Sequence, residues 1–294
     1  AEELTLDAAF RLSEYSSIGG TEAWKVGLRY RPIESLMFRG TIATAVRAPN
    51  ISELYLPQQV TFGAVGDAND PCDADAVDTG SALREANCIA AFAALGVPYD
   101  PNTWNNSTST TIPGIGGGNE NLRPESADTT TYGFVFEPRF LPGLSISVDY
   151  WEIELQDAIQ LLSVGQIAAY CYDFAQPNEY CNFVTRTATG VPSFAIPAGG
   201  IDGFTTTDLN VASFDTAGYD IGVRYRLDPA DWGVDANIGT FQFGLNATHL
   251  TTWEFRDSEL SPPILFVGTP GTPDWQTVFD ATWLIGDFTV NYGY

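Results

Sequence analysis

Five aspartates, Asp67, Asp70, Asp73, Asp75 and Asp78, crowd around Cys72. Carboxylates at such short intervals are the donor set of a hard divalent cation, and Ca²⁺ is the ion they would suit. Pro71 and Cys72, however, stand where an EF-hand loop needs a ligand and its glycine. A solvated acidic loop is therefore the expected state of the run, with Ca²⁺ as a weak candidate. His249 is the only histidine, set in a strand-like stretch between Thr248 and Leu250, and nothing around it supplies the partners of a base or a metal ligand. Glu152 and Glu154 share one strand face, a pairing that glycoside hydrolysis can use, but acids so placed also line barrels. No nucleophile elbow, phosphate loop or HExxH pattern occurs. The expectation is a chain with no catalytic residues and no cofactor, and not an enzyme.

The four cysteines, Cys72, Cys88, Cys171 and Cys181, match neither a zinc nor a redox CxxC spacing. Each successive pair lies in a polar, loop-like stretch. Two local disulfides, Cys72–Cys88 and Cys171–Cys181, are the economical choice among the three pairings that four cysteines allow, and they imply an oxidising compartment. Charge narrows the partners. Thirteen Lys and Arg stand against 37 Asp and Glu, a net charge of −24, so a phosphate backbone would be repelled and nucleic acid is a poor partner.

The elements that must carry these residues are strands. Hydrophobic residues make up 44% of the chain, yet the mean hydropathy is only −0.05, because apolar and polar residues alternate. Leu4, Leu6, Ala8, Phe10 and Leu12 alternate with polar neighbours. So do Trp24, Val26, Leu28 and Tyr30; Leu144, Ile146, Val148 and Tyr150; Phe241, Phe243, Leu245 and Ala247; and Phe279, Ala281, Trp283 and Ile285. Period two sends each set to one sheet face. The strands are about 10 residues or longer, as a tilted membrane crossing requires, whereas soluble strands usually run about 5–6. No stretch approaches the roughly 20 apolar residues of a membrane helix. Tight turns (Arg31 to Glu34, Pro138 to Gly143, Ile285 to Asp287) take turns with long connections near 57–123, 157–203 and 256–273. Short turns on one side and long loops on the other are the habit of membrane barrels. The expected fold is all-β: an antiparallel transmembrane β-barrel, partial, with roughly ten strands and long extracellular loops. A short amphipathic helix is expected near Val164–Asp173 inside one loop, and no internal repeat or domain linker is evident.

Four segments in order carry a family resemblance. Phe38 to Tyr55 contains Arg47-Ala48-Pro49 followed by Glu53-Leu54; Asn119 to Thr129 contains Asn121-Leu122-Arg123-Pro124-Glu125; Gly143 to Ile153 and Gly218 to Gly222 follow as strand starts. The series resembles the TonB-dependent outer-membrane receptors of proteobacteria, over nearly the whole chain, and the loop cysteines look like those of one subgroup. Pro49 and Pro124 cannot donate to a ladder and belong at strand boundaries. Arg47 and Glu125 are expected to pair across neighbouring strands. The resemblance implies that residues 1–294 are part of one barrel domain of about 22 strands, with the plug domain and the TonB-binding segment lying outside it. It implies a bacterial outer-membrane receptor that imports a scarce nutrient, of siderophore, cobalamin or oligosaccharide type, with energy supplied through TonB and an inner-membrane motor. The implied partners are outer-membrane lipid, TonB, the plug, the remaining strands and a small-molecule substrate. Arg29, Arg39, Arg47, Arg224 and Arg226 would face the lumen toward plug or anionic substrate, and Phe92, Tyr99 and Trp104 would suit a sugar or an aromatic chelate. Two other readings are a passive porin-like channel and a surface adhesin.

Overall fold

The computed structural model of the chain describes residues 2–234, 238–258 and 261–294. Its strands are β1 (Glu3–Tyr15), β2 (Gly19–Ile33), β3 (Leu36–Arg47), β4 (Gln59–Ala64), β5 (Thr111–Gly117), β6 (Glu125–Phe136), β7 (Leu144–Leu161), β8 (Val184–Arg186), β9 (Ile201–Leu227), β10 (Thr240–Arg256), β11 (Ile264–Leu265), β12 (Trp275–Ile285) and β13 (Phe288–Gly293). Three α-helices join them: α1 (Ile51–Tyr55), α2 (Arg84–Leu95) and α3 (Val164–Asp173). The 13 strands form a sheet whose main order is β1-β2-β3-β6-β7-β9-β10-β12-β13, unclosed among the described residues. Nine strands lie on that path, close to the ten expected. The chain divides into two compact units.

The first unit comprises residues 1–48, 124–158 and 211–294, and it holds the long antiparallel strands. Register carries the alternation from strand to strand. Leu6 faces Leu28 and Phe10 faces Trp24; Val26 then faces Ile42, and Tyr30 faces Phe38, which in turn faces Phe134. This apolar face has no protein cover: Leu4, Leu6, Phe10 and Leu12 are between 62% and 70% exposed. In water such a face would be a large liability, whereas in a barrel it is the lipid-facing band. Tyr132, Tyr150 and Tyr219 form a ring row across β6, β7 and β9, with centroids 5.0 and 5.2 Å apart. Amphipathic rings in such a row suit a membrane interface.

The opposite face is polar. Arg39 on β3 donates to both carboxylate oxygens of Asp149 on β7, at 2.7 and 2.5 Å, although β6 runs between them. Gly133 of β6 is what lets them meet. It faces Arg39 on one side and Asp149 on the other, and a Cβ there would lie 2.3 Å from Asp149 Oδ1. The tight turn between β12 and β13 uses Gly286 with φ +54, a left-handed conformation that glycine adopts readily.

The second unit comprises residues 49–123 and 159–210. The longest connections expected from the sequence were irregular loops; here they fold around a core of their own. Val65, Ile112, Val164, Ala168, Ile196, Ile201 and Phe204 are buried together. Helix α3 spans the expected residues, and Ser163 opens it with a capping box to Gln166. Helix α2 was not expected. It closes on Gly96, which is left-handed and whose backbone N–H donates to the Ala93 and Phe92 carbonyls. Strands β4 and β5 pair antiparallel across the segment that carries α2, and β5 pairs β9 in parallel. Both excursions enclose apolar residues that have nowhere else to go, which is why they fold compactly rather than as solvated loops.

Candidate functional site

The two family segments meet. Arg47 at the end of β3 and Glu125 at the start of β6 occupy opposed register positions. The Arg47 Nη2 group donates to Glu125 Oε1 at 2.8 Å, and its Nε donates to Oε2, so the expected pair is present as a two-point bridge. Downstream, Asn50 and Glu53 form a reciprocal capping box that starts α1 immediately after Pro49. The backbone N–H of Asn119 then reaches the Glu53 carbonyl at 2.8 Å. Leu54 and Leu122 are both buried. Asn121 donates its N–H to the Asn119 side chain, and Asn210 ties both polar backbone groups of Arg123. These motif residues thus have local structural work: they close the base of the 49–123 excursion.

The aspartate run behaves differently from a solvated loop. Asp70 and Asp73 have no exposed surface. Asp70 is held by Arg186, whose Nη1 and Nη2 donate to its two carboxylate oxygens at 2.8 and 2.5 Å. Asn106, also fully buried, donates from Nδ2 to Asp70 Oδ2 at 2.8 Å, and its backbone N–H donates to Asp73 Oδ2 at 2.7 Å. Buried carboxylates need such compensation, and here they receive it from an arginine and an amide. Asp67, Asp75 and Asp78 are exposed. Among the described residues no group of three or more His, Cys, Asp or Glu side chains is arranged to hold a metal ion.

Arg186 is the hub of this unit. It also donates to the Tyr172 hydroxyl at 2.6 Å and to the Gly199 carbonyl at 2.8 Å. Its guanidinium lies 4.8 Å from the Tyr172 ring centroid and 5.4 Å from that of Phe92. Burial works against its charge, but Asp70 and Tyr172 outweigh burial and raise its pKa above the usual arginine value. The three aromatics expected to offer themselves to a ligand pack on each other instead. Phe92 is fully buried, with its ring 4.3 Å from Tyr99 and 4.8 Å from Trp104. Tyr99 donates to the Cys72 carbonyl, and Trp104 to that of Ala198. Burial first, and the Asp70 charge second, push the Tyr99 phenol up to about 12. Phe92 thus serves the core of the excursion, while Tyr99 and Trp104 stay half-buried beside it.

Both disulfides lie in this unit, Cys72–Cys88 and Cys171–Cys181. Cys72 and Cys88 are fully buried and fix the turn that carries Asp70 and Asp73 to helix α2. Arg84 in the first turn of α2 pairs with Asp173 at the end of α3, tying the two helices. Sequence reasoning missed Arg186, Arg84 and Asn106. The available signal was scarcity: Arg84, Arg123 and Arg186 are the only basic residues in the two excursions, and a rare arginine amid many carboxylates is one that has found partners.

On the long strands, Arg224 and Arg226 line a cleft of about 440 Å³ together with Gln242, Asn246 and Asp280. Glu152 lies opposite Thr130, and Glu154 opposite Asp128. His249 stacks on Trp275 at 4.3 Å, and its Nδ1 lies 3.1 Å from the Asp274 carbonyl. An interface residue is the natural reading of a histidine against a tryptophan at a strand end.

Comparison with known proteins agrees with this architecture. The chain is similar to the siderophore receptor PirA from Acinetobacter baumannii, with 13% identity and a TM-score of 0.56, covering 100% of this chain and 31% of that one. It is also similar to a variant of the ferric enterobactin receptor PfeA from Pseudomonas aeruginosa in complex with enterobactin, with 12% identity and a TM-score of 0.57, covering 100% of this chain and 30% of that one. At such identities the likeness is one of fold. The chain spans less than a third of the length of either structure. No curated protein matches it. The sequence pattern of the family described as TonB dependent receptor-like, beta-barrel, matches residues 1–294. That match runs the full length of a sheet apolar on one face and polar on the other, and the chain belongs to the TonB-dependent receptor-like β-barrel family.

Proposed function

We propose that the chain is part of the barrel of an outer-membrane importer that takes up a scarce nutrient with energy delivered through TonB. The family pattern across the whole chain is the observation that carries this reading. In it, residues 1–294 form part of a single barrel domain, and the same polypeptide supplies further strands and a plug. Outer-membrane lipid covers the apolar face, and a small-molecule substrate passes along the polar one. The siderophore class gains weight from the receptors of similar fold, while cobalamin and oligosaccharides stay within the proposal. Recognition and gating, rather than bond making, are the chemistry proposed.

The intact mass of the native outer-membrane protein tests this. A polypeptide at least about twice the 31.8 kDa of this chain, with plug peptides upstream, is expected. A native species of this mass alone would favour a small passive channel.

A further inference from the structure

The β4–β5 pair carries an apolar surface that its own unit leaves largely exposed. Its inner face packs on the core: Phe204 lies against Gly63 and Gly114, where a Cβ would be 2.8 and 2.5 Å from its ring. The outer face carries Val60, Phe62 and Ile115, with Val60 opposite Ile115 and Phe62 opposite Pro113. Val60 is 68% exposed, Phe62 65% and Ile115 45%. Strand β4 is also an edge, since among the described residues it pairs only with β5. A groove of about 370 Å³ runs between β4, at Thr61, Phe62 and Ala64, and the segment Leu161, Ser163 and Gly165. Exposed edges are usually blunted by a lysine, a proline or a bulge. Strand β4 itself has none: its sequence is Gln-Val-Thr-Phe-Gly-Ala, and its register with β5 is unbroken.

Charge selects the occupant. This unit contains thirteen acidic side chains against three arginines, with no lysine and no histidine, a net charge of −10. Arg84 and Arg186 are spent in ion pairs within the unit. Exposed acids follow each strand of the pair in sequence, Asp67 after β4 and Glu120 after β5, and Asp202 lies on the neighbouring strand β9. A second copy of the same surface would bring like charges together, which disfavours self-association. We infer that the open edge of β4 receives an extended, cationic, apolar oligopeptide from the medium, added as a further strand. Main-chain hydrogen bonds to β4 supply affinity, alternate apolar side chains extend the Val60–Phe62–Ile115 surface, and basic side chains meet the acidic surround. The site is argued from this unit alone and stands whether or not its ligand is then imported.

The test is fluorescence anisotropy on the full-length receptor in detergent, with three labelled peptides in which valine alternates with lysine, glutamine or glutamate. The lysine peptide should bind tightest and the glutamate peptide not at all, and raised salt should weaken the lysine peptide. Val60→Lys, which blunts the edge, and Phe62→Ser, which removes exposed apolar surface, should each weaken binding by about tenfold or more. Equal binding of the lysine and glutamate peptides would overturn the inference. So would binding unaffected by both substitutions, self-association abolished by Val60→Lys, or a cysteine placed at position 60 that no thiol reagent reaches, since another segment would then cover the edge. Peptide binding that is intact while uptake of every nutrient by this receptor proves independent of TonB would leave this site standing and count against the proposed import alone.

Discussion

Arg186 is the residue on which the second unit turns. It neutralises Asp70, caps Tyr172 and Gly199, and lies between the rings of Phe92 and Tyr172. Removing one member of a buried ion pair leaves an uncompensated charge, at a cost of about 3–5 kcal/mol. Arg186→Met should therefore lower the stability of this unit by that order in chemical denaturation. Adding Asp70→Asn should recover much of the loss, because the stranded charge goes with it. A single variant as stable as the parent would contradict this role. Tyr99 makes a pH prediction. Burial pushes its phenol up to about 12, above the ordinary tyrosine value of about 10. The folded state therefore holds its proton where the unfolded chain has released it, so its contribution is complete below pH 10 and is lost as pH rises toward 12. Tyr99→Phe should flatten the alkaline fall in stability, and an ultraviolet titration should lose its highest-titrating phenol.

Gly133 shows how elements, rather than single residues, set the polar face. Any side chain there enters the space where Asp149 meets Arg39, so Gly133→Val should break that bridge and strain β6 against β7. Overpacking of this kind costs about 1–3 kcal/mol, and the variant barrel should unfold at lower temperature in heat-modifiability gels. An unchanged temperature would show that the bridge is incidental. The strands themselves were legible in the sequence, because alternation such as Trp24, Val26, Leu28 and Tyr30 is local, and so were helix α3 and the Arg47–Glu125 pair. The interior of the excursions was not. Asp70 and Arg186 lie 116 residues apart, so no short-range pattern announces them. Helix α2 escaped notice because its alanines give only a weak apolar stripe. The aspartates around Cys72 looked solvated since their compensating partners, Asn106 and Arg186, arrive only through folding.

For the whole molecule, two kinds of surface are joined in one chain. The long strands present an uncovered apolar face and a polar face crossed by ion pairs, while the excursions build a stapled, acidic unit with its own core. The first is part of a β-barrel wall, and under the proposed function the second is the surface that would meet a substrate. Family membership puts the chain in the outer membrane as part of a β-barrel. A passive channel would share the wall, and an adhesin would share the recognition unit, so only coupling to energy separates the three. The direct measurement is depletion of the growth medium, followed by mass spectrometry, for the parent strain, a strain lacking this receptor and a strain lacking TonB. The account predicts that a compound left behind by the receptor deletion is also left behind by the TonB deletion. A compound that needs this protein for uptake but is still consumed without TonB would contradict it and establish a passive channel.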